Sequence, residues 1–285
     1  MKFSQSSADF YAPRGQDPLA NLATTTHLGI GAHADDLEIL AFPGIATCFQ
    51  HPTHRFSGVV VTDGAGAPRT GPFAETTDSE LISLRQKEQH HDADLGDYAS
   101  VLQLGHSSTA VRQTDRSAVV ADLVKILETA RPQVLYLHNP ADRHETHIGV
   151  LLACLEALQK LSSSAQPKEI YGCEVWGDLD WVPHAHIIRL ACHAPETLGP
   201  SLLRCFKSQV EGGKRYDRAA LGRRHAQATF ADPSHPDGAD EVVLALDLRP
   251  LVQPKAPSLS DFVSHLTTSF QSQTLARIQK FEKGG

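Results

Sequence analysis

The sequence has no long apolar run. No stretch approaches the about 20 consecutive apolar residues that a membrane-spanning helix requires, and the opening Met1-Lys2-Phe3-Ser4-Gln5-Ser6-Ser7 has no apolar core of the secretory kind. A cytoplasmic protein without a membrane partner is the reading that follows. Basic excess is also missing. The 26 Lys and Arg against 33 Asp and Glu leave a net charge of −7, which argues against general nucleic-acid binding. Cysteine is sparse: Cys48, Cys154, Cys173, Cys192 and Cys205 are odd in number, and none are paired at metal-ligand spacing. A disulfide scaffold is thereby disfavoured, and free buried thiols are expected. There is no internal repeat and no low-complexity tract.

What remains is a chain of 285 residues, 41% apolar and 21% charged, long enough for one large soluble domain. Short β-branched runs alternate with amphipathic segments. Strands are expected near 26–32, 56–62, 100–105 and 134–137. Helices are expected to about 50 and over 78–95, 115–130 and 147–160. That alternation predicts an α/β fold, a Rossmann-like and mostly parallel sheet with helices on both faces. Residues 1–24 read as an N-terminal arm that packs on the domain or reaches a neighbouring subunit, so a homo-oligomer stays open. Residues 25–285 read as a single domain, with a core over 25–160 and a less regular extension over 168–285. In the extension, strands are expected at 169–176 and 186–190 and helices at 197–209, 215–224 and 259–281, with a turn over 232–238.

Chemistry gathers at two strand ends. Gly31-Ala32-His33-Ala34-Asp35-Asp36-Leu37-Glu38 follows the first strand and opens a helix. Ligands bind at carboxyl strand ends in open α/β sheets. Adjacent carboxylates repel and are costly to bury unpaired, so a divalent cation would relieve them. Helix capping by Asp35 or Asp36 is the alternative. Asn139-Pro140-Ala141-Asp142-Arg143-His144-Glu145-Thr146-His147 repeats the pattern of strand, polar loop and helix. His33, Asp36 and one histidine of this second cluster make three protein ligands with room for water, the count of a catalytic zinc. Asp63-Gly64-Ala65-Gly66-Ala67-Pro68 lies at a third strand end. It lacks the Gly-Lys-Ser/Thr of a P-loop and reads as an active-site loop or a plain turn. The segment from Trp176 to His184 carries two tryptophans and two aspartates, and reads as a sugar-pocket wall or as core plus loop.

The two clusters resemble the PIG-L/LmbE-like family of zinc-dependent sugar N-deacetylases. That family carries His-Pro-Asp-Asp-x-Glu after its first strand and His-x-x-His later. Here these are His33-Ala34-Asp35-Asp36-Leu37-Glu38 and His144-Glu145-Thr146-His147. Val61-Thr62-Asp63-Gly64 and Leu84-Arg85-Gln86-Lys87-Glu88 extend the resemblance, which covers about residues 25–160. Ala34 replaces the usual proline. Thr146 stands where many members pair an aspartate with the first histidine. Phe206 to Asp217 resembles a subgroup found alongside glucosamine-6-phosphate metabolism. There Gly212-Gly213, flanked by Lys214 and Arg215, would make an anion cradle or simply end a helix.

The resemblance implies one Zn²⁺ per chain, held by His33, Asp36 and His147, with another transition metal able to replace it. It implies a metal-dependent hydrolase that removes the acetyl group of an N-acetylglucosamine-type substrate through a zinc-activated water. Asp35 would be the general base. His144 would stabilise the oxyanion or protonate the leaving amine, with no aspartate at Thr146 to raise its pKa. Glu38 would support the site from behind. Arg85, Asp63, Lys214 and Arg215 would touch substrate, with an Arg85–Glu88 ion pair as the alternative for that arginine. Three other readings compete: a zinc amidase on a non-sugar amide, a Mg²⁺-dependent transferase, and a non-catalytic sugar binder. The histidine ligands argue against Mg²⁺, which prefers oxygen donors.

Overall fold

The computed structural model describes residues 1–230, 234 and 236–282. Its strands are β1 (Asp9–Tyr11), β2 (His27–Gly31), β3 (Phe56–Thr62), β4 (Ser100–His106), β5 (Val134–His138), β6 (Glu169–Cys173), β7 (Ile188–Ala191) and β8 (Val242–Asp247). Its helices are α1 (Pro18–Leu22), α2 (Asp36–Leu40), α3 (Phe42–Cys48), α4 (Asp78–Leu95), α5 (Ser108–Arg112) and α6 (Ser117–Ala130). They continue as α7 (Glu145–Lys160), α8 (Leu198–Leu203), α9 (Lys207–Val210), α10 (Tyr216–Phe230) and α11 (Leu259–Glu282). Among the described residues the eight strands form one sheet in the order β1-β4-β3-β2-β5-β6-β8-β7.

The sheet is mixed and mostly parallel, as the alternating pattern predicts. β2 pairs in parallel with β3 on one side and β5 on the other. β4 and β6 extend the parallel block outward. The chain therefore runs from β2 through β3 to β4 and then returns to place β5 on the far side of β2. That reversal opens a crevice beyond the carboxyl ends of β2 and β5. Both histidine clusters leave the sheet at this crevice.

Apolar clusters cover both faces. One joins Leu28 and Ile30 to Leu123, Leu127, Leu151 and Leu158 of α6 and α7. The other joins Leu37, Leu40, Phe42 and Ile45 of α2 and α3 to Val60, Tyr136 and Leu202. The long helix over 78–95 is sealed by a capping box, with Thr77 Oγ1 accepting from the Glu80 amide and the Glu80 carboxylate accepting from the Thr77 amide.

Several sequence expectations are corrected. The helix expected to run to about 50 is two short ones, with Ala41 between α2 and α3 and Pro43 in the first turn of the second. The helix expected over 197–209 breaks at Phe206, which leaves the helical region at φ −86° and ψ 62°. Within the stretch expected to be an arm, Asp9–Tyr11 pairs antiparallel with β4 as an edge strand. β8 was missed. It lies between β6 and β7, antiparallel to both, and its Val-Val-Leu-Ala-Leu run carries no alternation because it is covered on both faces. Of the turn expected over 232–238, residues 232, 233 and 235 lie outside the described residues. Among the described residues no helix is long and apolar enough to cross a membrane.

Glycines set the depth at which α2 sits. A Cβ added at Gly58 would lie 2.5 Å from Leu37 Cδ1, and one at Gly31 would lie 2.8 Å from Asp36 Cβ. The helix that starts at Asp36 packs directly on bare backbone. Gly58→Val should therefore lower stability by about 1–3 kcal/mol through overpacking. Denaturant titration against the parent chain checks this, and an unchanged midpoint would refute the close seating.

Glu174 is buried after β6 and accepts the Leu179 amide at 2.7 Å. Burial pushes its carboxyl up to about 7 from 4.5. The folded chain thus holds a proton that the unfolded chain releases, so stability falls as pH rises from about 4.5 and levels off above about 7. The loss is up to about 3 kcal/mol. Glu174→Gln should flatten that decline in melting curves recorded from pH 4.5 to 8.

Candidate functional site

The turn from β2 into α2 is built on an inverted residue. Asp35 sits at the helix N-cap position with φ 80°, and its side chain makes no cap hydrogen bond. A non-glycine residue there carries strain. The capping alternative thus fails for Asp35. Asp36 instead turns its carboxylate back on the strand end, where Oδ2 accepts the amides of Ala32 at 3.0 Å and His33 at 2.7 Å.

That oxygen and two ring nitrogens form a triangle of donors. His33 Nδ1 lies 3.4 Å from Asp36 Oδ2, His147 Nε2 lies 3.5 Å from it, and the two ring nitrogens are 3.2 Å apart. Ligand bonds of about 2.0–2.1 Å in tetrahedral geometry give donor separations of about 3.3–3.4 Å. The triangle fits a zinc-type ion. Charge points the same way. Burial pushes the Asp36 carboxyl up, but His147, His33 and His138 outweigh it and hold it well below the usual carboxylate range. Burial pushes His147 down, but Asp36 and Asp142 outweigh it and raise it. A position that favours an imidazolium between carboxylates favours a cation.

His147 is fully buried, with Nδ1 3.3 Å from Asp142 Oδ1. A carboxylate on the far nitrogen of a ligating histidine fixes its tautomer and strengthens it as a donor. Asp142 is itself held, with Oδ1 accepting the His144 amide at 2.9 Å and Oδ2 accepting the Trp176 amide at 3.0 Å. With threonine at 146, the sequence leaves open which carboxylate serves His144. Asp142 serves His147, and Glu145 faces Arg112 at 3.5 Å. His144 Nδ1 accepts the Thr146 amide at 3.3 Å, which leaves its proton on Nε2. Burial and the neighbouring His147 and His33 push His144 down, so it is neutral.

A cavity of about 560 Å³ opens over these groups. His33, Asp35, Asp36, His144, Arg85, Lys214 and Arg215 line it, and the structure brings these expected residues together. Asp35 Oδ2 is buried there without a hydrogen-bond partner among the described residues. Burial and the adjacent Asp36 push Asp35 well above the usual range, against the pull of Arg85. Arg85 donates to the Gly64 carbonyl at 2.7 Å, while Glu88 is taken by the Ser208 amide and hydroxyl at 2.8 and 2.6 Å. Arg215 is bound to Asp217 through both carboxylate oxygens, and Lys214 lies 4.4 Å over the Trp176 ring.

Neither Asp63 nor Glu38 lines the cavity, and for Glu38 a place behind it is the expected one. Asp63 folds its own turn, accepting the Ala65 amide at 3.1 Å. Glu38 is fully buried, with Oε1 accepting from Gln89 at 3.0 Å and Tyr98 at 2.8 Å, so it ties α2 to α4 and its C-terminal turn. Sequence reasoning missed His138, Gln209 and Tyr216. Gln209 donates to the Ala34 carbonyl and, with Tyr216, Arg112 and Arg223, completes the cavity wall. The segment around Trp176 carried a signal in its aromatic and acidic content, and Trp176 does line the cavity.

Comparison with curated proteins finds no match. Solved structures do match. GalB, the 4-carboxy-2-hydroxymuconate hydratase of Pseudomonas putida, superposes with a TM-score of 0.60 at 15% identity, over 82% of this chain and 98% of that one. The conserved protein TT1542 of Thermus thermophilus gives 0.57 at 15% identity, over 78% and 94%. The N,N'-diacetylchitobiose deacetylase of Pyrococcus horikoshii gives 0.59 at 18% identity, over 82% and 87%. At such identities the likeness is one of fold. The sequence match is local: the family model described as PIG-L, GlcNAc-PI de-N-acetylase, aligns with residues 28–158, which span both histidine clusters and the strands that carry them. Over residues 28–158, a little under half of its length, the chain is similar to the PIG-L family.

Proposed function

We propose that this chain is a metal-dependent N-deacetylase acting on an N-acetylated amino sugar of the N-acetylglucosamine type. The observation that carries the reading is the donor triangle of His33, Asp36 and His147, with sides of 3.2–3.5 Å, set in a cavity floor beside Asp35, whose Oδ2 has no hydrogen-bond partner among the described residues. The PIG-L match and the fold shared with a diacetylchitobiose deacetylase support it.

A divalent ion, zinc by the nitrogen-rich donor set, would be held by those three side chains and would supply Lewis acidity and a water acidified to about pKa 7. The chain does the rest. Asp35 diverges from Asp36 because φ 80° separates their directions, so it keeps a free oxygen to take the proton of the attacking water. Its burial keeps it a stronger base than an ordinary aspartate. His144 presents a neutral Nε2–H, which donates to the carbonyl oxygen as negative charge develops. Arg85 faces the same cavity and balances the carboxylates. Lys214, held over the Trp176 ring, and the cations at the rim meet hydroxyls or an anionic substituent of the sugar.

Acetate release from the zinc-loaded chain tests the reading. N-acetylglucosamine, its 6-phosphate, its oligomers and non-sugar acetamides make the panel. Release from none would overturn the proposal, and release only from non-sugar amides would leave the chemistry and remove the sugar. Elemental analysis should find about one ion per chain, and His147→Ala and His33→Ala should lose most of it.

Roles separate by variant. Asp35→Asn should retain the ion and lose turnover by about 10²–10⁴-fold. Asp36→Asn should weaken ion binding as well. His144→Ala should lower kcat and kcat/KM together with ion content unchanged, because its bond forms only as charge develops. Equal metal loss in the two aspartate variants would contradict the division of labour.

A further inference from the structure

His138, the last residue of β5, is fully buried beside the donor triangle. Its Nε2 accepts the Ala32 amide at 3.0 Å and lies 3.5 Å from Asp36 Oδ2. An accepting Nε2 places the ring proton on Nδ1. The ring lies against His147 with centroids 3.9 Å apart and planes 23° apart.

The Ala32 amide is shared. Asp36 Oδ2 accepts it at 3.0 Å, the same distance as His138 Nε2. Asp36 Oδ2 also accepts the His33 amide at 2.7 Å. A carboxylate oxygen has two lone pairs, and two amides fill both. A cation bonded to that oxygen needs one of them. Among the described residues, of the two amides only that of Ala32 has a second acceptor already in place.

We propose that His138 is a positioning residue that takes the Ala32 amide, so that Asp36 Oδ2 keeps a lone pair for the divalent ion in the triangle of His33, Asp36 and His147. Without it, ion binding would strand a buried amide or leave the oxygen shared, and both weaken the site. The inference rests on the metal site of the proposed function. His138, Asp142 and His147 also group as donors, within 4.8 Å of one another. They do not form a second ion site in this scheme. His147 would have to give Nε2 to one ion and Nδ1 to another, losing the proton that faces Asp142.

Side-chain length makes the test. Glutamine can place its amide oxygen where His138 Nε2 stands, while asparagine is one carbon shorter and cannot. Zinc affinity is measured by competition with a chelating dye in the parent chain, His138→Gln, His138→Asn and His33→Ala, with a melting curve for each. His138→Asn should bind zinc about 10–100-fold more weakly, and His138→Gln should stay near the parent. If the asparagine variant does not fold, His138→Leu replaces it, since leucine also offers no acceptor. Equal affinity in the parent and His138→Asn would overturn the proposal. So would a glutamine variant as weak as asparagine, which would assign the effect to packing. A loss in both His138 variants as deep as in His33→Ala would make His138 a ligand and likewise overturn it. A parent chain no tighter than His33→Ala would instead overturn the metal site itself.

Discussion

The Asp36 carboxylate is the constraint on which the rest of the site depends. One oxygen receives two amides of the β2–α2 turn and stands 3.4–3.5 Å from three histidine nitrogens. Those histidines come from two strand ends more than a hundred residues apart. Only the placement of β5 beside β2 brings them together. The chain order that creates the crevice is therefore also the order that assembles the donors. The same oxygen fixes the direction of α2, since its amide bonds tie the first helical residue to the last turn of backbone before it.

Much of this was legible in the sequence. The two clusters are local strings, each pinned to the end of a β-branched run, and period and punctuation placed those runs within a residue or two. The helix over 78–95 was readable from its spacing alone. What the sequence could not show was partner choice. Asp142 lies two residues from His144 and five from His147, and nothing in the string says that it bonds the latter's ring and only the former's amide. Asp63 and Glu38 sit inside or next to the motifs, yet one closes a turn and the other faces Gln89 and Tyr98. Motif membership fixes the backbone neighbourhood, whereas side-chain direction is a tertiary property.

His138 and β8 were silent for related reasons. A histidine ending an apolar strand reads as ordinary core, and only the register of β5 against β2 puts its ring at the Ala32 amide. β8 is an inserted antiparallel strand whose position between β6 and β7 follows from no local pattern. Arg215 shows the opposite failure. Its Gly-Gly-Lys-Arg context suggested a free cation, but Asp217 two residues on binds it through both oxygens. Lys214, with no such neighbour, lies over Trp176 instead.

The contrast between the two adjacent aspartates has one backbone cause. Asp35 is held at φ 80°, a conformation costing of order 1–3 kcal/mol for a residue with a side chain. It persists because its neighbours over-determine the turn. Asp36 is pinned by two amides, and Leu37 is seated against Gly58, where an added Cβ would lie 2.5 Å from it, and close to Gly29. The inversion sends one carboxylate down to the histidines and leaves the other lining the cavity, its Oδ2 without a hydrogen-bond partner among the described residues. Relaxing the strain at Asp35 would turn it towards the ordinary cap position, where its oxygen would be consumed by helix amides. The strained residue thus keeps its carboxylate off the helix amides, and α2 is seated closely on the glycines of β2 and β3.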